Sequence, residues 1–81
     1  MVTFQDASGQ RWVAGAREED TPRHHGRWYM ILHPESDPQN VLALPEVRWQ
    51  TRATAERTLE TMSVFELRRR LDIARRRAAP A

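Results

Sequence analysis

Apolar positions in the first half of the chain alternate or fall in short runs, and those in the second half recur at helical spacing. Val2-Thr3-Phe4-Gln5 and Gln10-Arg11-Trp12-Val13 flank Asp6-Ala7-Ser8-Gly9. This pattern predicts a β-hairpin in which Asp6 opens a type I turn and Gly9 supplies the positive φ that closes it with a bulge. The second strand is expected to fade near Gly15-Ala16, and the polar stretch 17–26 predicts a loop. Trp28-Tyr29-Met30-Ile31-Leu32 is an unbroken apolar run within an expected strand at 27–33, as in a strand covered on both faces. Residues 34–40 carry turn chemistry in Pro34, Asp37-Pro38 and Asn40. Residues 41–44 and 47–51 predict a fourth strand, kinked or split at Pro45 and placed at a sheet edge by that proline.

The remainder reads as helix, but not as one helix. With Ala55 as origin, Leu59 and Met62 fall on one side, whereas Leu67, Leu71, Ala74 and Ala78 fall more than about 100° away. A straight helix cannot bury both stripes on one surface. Ser63 and Glu66 stand at capping-box spacing, and Met62 and Leu67 at hydrophobic-staple positions. The expectation is a short helix over 53–61, a turn, and a second helix over 64–78. The fold class is therefore α+β: a small antiparallel β-meander of about four strands followed by two C-terminal helices packed on the sheet. Residues 1–78 form one domain in this reading, and 79–81 a disordered tail. Two helices cover one face, so the apolar strand at 28–32 has a face left over. That face calls for a curled sheet or a partner.

Length and composition narrow the classes of function. Eighty-one residues make a modest core, and 40% hydrophobic with 30% charged content fits a folded protein rather than a disordered one. No apolar run reaches membrane-spanning length, so no membrane partner is expected. The N-terminus has no basic segment followed by an apolar stretch, and a cytoplasmic location is expected on that ground. Cysteine is absent, which excludes disulfides and thiolate metal sites. His24, His25 and His33 with Glu18, Glu19 and Asp20 could in principle ligate zinc, but neighbouring histidines on an extended loop diverge and no HExxH-type spacing occurs. Glycines stand only at 9, 15 and 26, with no phosphate-cradling loop and no Gly-x-Ser-x-Gly. A non-enzymatic protein without cofactor or metal is expected.

Charge then points to a surface. All thirteen basic residues are arginine, a bias that GC-rich codon usage accounts for, although arginine also supplies planar, bidentate donors. Residues 1–40 carry a net charge of −2 and residues 41–81 a net charge of +4. Two triplets, Arg68-Arg69-Arg70 and Arg75-Arg76-Arg77, stand seven residues apart. They lie roughly 10 Å apart along a helix axis and build a two-tier cationic surface. Arg69 and Arg76 are expected opposite the buried stripe, with Arg68, Arg75, Arg70 and Arg77 on its flanks. Ile73 is expected outside the stripe, among arginines and beside Phe65, as the apolar centre of a contact with a cationic rim.

The expected contact set is thus Phe65, Arg68, Arg69, Arg70, Ile73, Arg75, Arg76 and Arg77, and the expected partner is an acidic protein surface. The expected function is that of a small regulatory or adaptor module that uses this helix and the leftover sheet face. Two alternatives stand beside it: a nucleic-acid binder with the arginine triplets on phosphates, and a homo-oligomer formed through the free face or an edge strand. Trp12, Trp28, Tyr29 and Trp49 all fall on expected strands. They read as core of a small domain rather than as a stacking platform for bases.

Overall fold

The computed structural model describes residues 1–19 and 27–79. Four strands, β1 (Val2–Gln5), β2 (Arg11–Glu18), β3 (Trp28–Pro34) and β4 (Leu42–Trp49), are followed by α1 (Arg52–Thr61) and α2 (Val64–Ala78). The sheet is an antiparallel meander in the order β1-β2-β3-β4. The α+β expectation holds: meander first, then two C-terminal helices on the sheet. The expected tail overlaps the described residues only at Ala79, the C-cap of α2; its last two residues lie outside them.

The β1–β2 turn forms as its residues dictate. Gly9 has a φ of 90°, and its N–H donates to Asp6 O at 3.0 Å. The fade expected at Gly15-Ala16 does not occur. β2 continues to Glu18 because β3 is long enough to pair it, with Arg17 opposite Tyr29 and Glu18 opposite Trp28. The kink expected at Pro45 is a register shift: Met30 faces Leu44 while Tyr29 faces Arg48, so Pro45, Glu46 and Val47 bulge from the ladder. β4 is an edge strand, where a residue without an N–H is tolerated.

Strand alternation sends Phe4, Trp12, Ala14, Met30, Leu32 and Leu44 to one face. There they meet Leu59 of α1 and Leu67, Leu71 and Ala74 of α2 in a single buried cluster. The break between the helices falls where the two stripes diverge. Met62 caps α1 in extended conformation, and the Ser63 side chain accepts from Glu66 N at the start of α2.

α2 touches both edge strands, β1 and β4. Its buried arc is consequently wider than the Leu67–Leu71–Ala74 stripe, and this overturns the expectation for Ile73. That side chain is half-buried against the core, on the flank that faces β4, and is not an exposed apolar centre.

Candidate interaction surfaces

Three strips of α2 carry the residues expected at the site, and only one of them faces away from the molecule. On the β1 flank, Arg68 Nε donates to Gln5 O at 2.9 Å, and Arg75 Nη2 donates to Asp6 Oδ2 at 2.9 Å. On the β4 flank, Arg77 pairs with Glu46 of the bulge, and Arg70 Nε stands 3.7 Å from Glu66 Oε2, an ion pair beyond hydrogen-bond reach. Arg77 is the main cause holding the Glu46 carboxyl below its usual range. On the outer strip, Phe65, Arg69, Asp72 and Arg76 follow one another at helical spacing. Phe65 is 80% exposed, Arg69 lies 3.5 Å from Glu66, and Arg76 Nε donates to Asp72 O at 3.4 Å.

The triplets are therefore not one cationic plate. Arg68 and Arg75 hold α2 to the β1 hairpin, and Arg77 holds it to β4. The expected contact set is divided between these flanks and the outer strip, so the structure does not bring its eight residues together.

Asp6 is the anchor of the β1 flank. Its Oδ1 accepts from Ser8 N, Ser8 Oγ and Gln10 N, and its Oδ2 accepts from Trp12 Nε1 at 3.0 Å and from Arg75. The Arg75 guanidinium also lies over the Trp12 ring, 4.7 Å from its centroid. The Ser8 hydroxyl is the largest influence on the Asp6 carboxyl. With help from Gln10 N–H, Arg75 and Trp12 it outweighs burial and holds the group far below the usual carboxylate range. In the sequence, Asp6 stands out only as a turn opener. Its pairing with a residue 69 positions away has no local signal.

The opposite face of the sheet is covered by no described element. Alternation places Thr3, Val13, Gly15, Ile31 and Ala43 there. Met1 joins them, since a Cβ built on Gly15 would stand 3.8 Å from Met1 Cβ and 3.9 Å from Ile31 Cγ1. Met1 is 77% exposed. The apolar centre is rimmed by Arg11, Arg17, Tyr29, His33 and Arg48. Arg11 pairs with Glu35 at 3.2 Å, and Arg48 with Glu19 at 2.9 Å while lying 5.9 Å from the Tyr29 ring centroid. Glu19 is the main cause raising the Arg48 guanidinium above its ordinary value. A shallow depression of about 660 Å³ opens here, lined by Arg17, Glu18, Glu19, Tyr29, Ala43, Pro45 and Arg48.

No group of three histidine, aspartate or glutamate side chains converges among the described residues. His33 Nδ1–H donates to Pro34 O at 2.8 Å, while Asp20, His24 and His25 lie outside the described residues. Among the described residues, no helix is long and apolar enough to cross a membrane. No family model, curated protein or solved structure matches the chain.

Proposed function

We propose that the protein is a non-enzymatic adaptor that docks a larger protein on the uncovered face of its sheet. The observation that carries this reading is the apolar centre on the face opposite both helices, where Met1 is exposed and Ile31 half-buried beside Gly15 and Ala43, while Val13 itself is buried. A centre of that kind with a polar rim is the anatomy of a protein contact. Arg17 and Arg11 on the rim suit a partner with carboxylates around an apolar patch.

The nucleic-acid reading draws less support, because Arg68, Arg75 and Arg77 are engaged with the sheet and phosphate contact would have to compete with those bonds. A second docking reading rests on Phe65, whose ring projects from the first turn of α2 beside Arg69. The two surfaces lie on opposite sides of the molecule, so single variants separate them.

Gly15→Glu places a charge in the middle of the sheet face at a position with ordinary room for a Cβ. In quantitative affinity capture with the full chain, this variant is expected to lose the specific partner that the wild type retains, while Arg69→Glu with Arg76→Glu keeps it. Retention by Gly15→Glu together with loss by the double arginine variant would refute the sheet-face reading and move the contact to α2.

A further inference from the structure

A second recess lies at the other side of β1, apart from the uncovered face. About 500 Å³ in volume, it runs along the edge strand under the α1–α2 junction, where Val2, Met62 and Val64 supply the accessible apolar lining over the buried Phe4, Leu59 and Leu67. Glu60 and Arg68 line it too, so it carries one charge of each sign.

The edge of β1 is chemically specific. In the hairpin, Asp6 N–H donates to Gln10 O. Antiparallel pairs alternate between bonded and non-bonded, so Phe4–Trp12 and Val2–Ala14 are the bonded pairs in the same register. Thr3 and Gln5 therefore direct their N–H and C=O groups outward, along the recess. Gln5 O is taken by Arg68 Nε at 2.9 Å. Thr3 N–H, Thr3 C=O and Gln5 N–H remain to pair with an incoming chain.

We infer that this recess binds an extended peptide segment of another protein as a fifth strand, with apolar side chains at alternate positions under the α1–α2 junction and a carboxylate at the terminal nitrogens of Arg68, whose Nε stays with Gln5 O. Backbone pairing would supply part of the affinity, and the apolar lining would select every second side chain. The charges orient the segment, its acidic end toward Arg68 and away from Glu60. A second copy of this chain fits the edge less well. Antiparallel β1–β1 pairing would bring a second α1–α2 junction toward the space that the first one overhangs. The site is independent of the sheet-face reading above.

The test uses the full chain and a fluorescein-labelled peptide of alternating valine and threonine ending in aspartate. Saturable binding is expected by anisotropy, with Kd below about 1 mM. N-methylation of alternate peptide amides, which removes strand pairing, should abolish it. Thr3→Pro removes only an outward N–H and leaves the β1–β2 ladder intact, and it is expected to weaken binding about tenfold. Arg68→Ala should reduce the preference of the site for the aspartate peptide over its asparagine counterpart, whatever it does to the affinity for both. If Thr3→Pro does not fold, Val64→Asp poses the same question from the helix side.

The proposal is overturned if no binding occurs, if the N-methylated peptide binds equally, or if a folded Thr3→Pro or Val64→Asp binds as well as wild type. A concentration-dependent dimer that Thr3→Pro dissolves would assign the edge to a second copy and overturn it as well.

Discussion

The orientation of α2 decides which residues of this protein are structural and which are available, and Leu71→Ala against Phe65→Ala measures it. Leu71 is fully buried between the sheet and its own helix, whereas Phe65, six residues earlier, is 80% exposed. Truncating a buried leucine costs about 3 kcal/mol through lost transfer energy and the cavity left behind. A domain of this length has about 4–12 kcal/mol of total stability, so Leu71→Ala removes a quarter or more of it. With about 4–8 °C per kcal/mol for a domain of this size, Tm is expected to fall by about 12–24 °C. Phe65→Ala removes a ring that touches little, and alanine is the better helix former. It should leave stability within about 0.5 kcal/mol of wild type. Urea unfolding followed by tryptophan fluorescence gives both values, with Trp12 reporting from within the core. An unchanged m-value would show that the denatured state is common to both variants. Equal destabilisation by the two variants, or a larger loss from Phe65→Ala, would mean that α2 is rotated relative to this structure. The division of its arginines into three strips would then fall.

Two further predictions address the hairpin and the sheet face. Because the Asp6 carboxyl is lowered in the folded state, its stabilisation is present in full above the unfolded value of about 3.9 and is lost as pH falls below that toward the folded value. Asp6→Asn should therefore be less stable than wild type at pH 7, with the difference in Tm shrinking between pH 5 and pH 2; a difference independent of pH would contradict the linkage. Gly15 has no positive φ, and a methyl group there meets Met1 and Ile31 only at ordinary contact distance. Gly15→Ala should accordingly raise stability by about 0.5–1 kcal/mol, read as a higher midpoint in urea. A lower midpoint would show that the strand needs glycine at that point.

Much of the architecture is legible because its signals are local. The Asp6–Gly9 turn, the edge proline of β4 and the divergence of apolar stripes at Met62 each report on neighbours within a few residues. The end of β2 was less legible, since it depends on the length of its partner. Gly15-Ala16 looks like a stopping point until β3 supplies Tyr29 and Trp28 for Arg17 and Glu18 to face. The candidate site suffered most from this limit. A helical wheel places Ile73 outward, but α2 lies across both edge strands and its buried arc reaches that position. The wheel also shows six arginines without showing that Gln5, Asp6 and Glu46 receive three of them. Those partners lie far away in sequence, and no spacing rule connects them. The leftover sheet face, by contrast, was visible in the unbroken run 28–32, whose even-numbered residues face the helices and whose odd-numbered ones face the other side.

The most direct test of the docking account is site-specific photo-crosslinking in cells that express the full chain. A photoreactive side chain at Ala43, exposed on the uncovered face beside Ile31, is compared with one at Arg76 on the outer strip of α2. A discrete adduct with a larger protein is expected from position 43 and none from position 76. An adduct from position 76 alone, or an adduct from position 43 at only twice the 9.5 kDa of this chain, would contradict it.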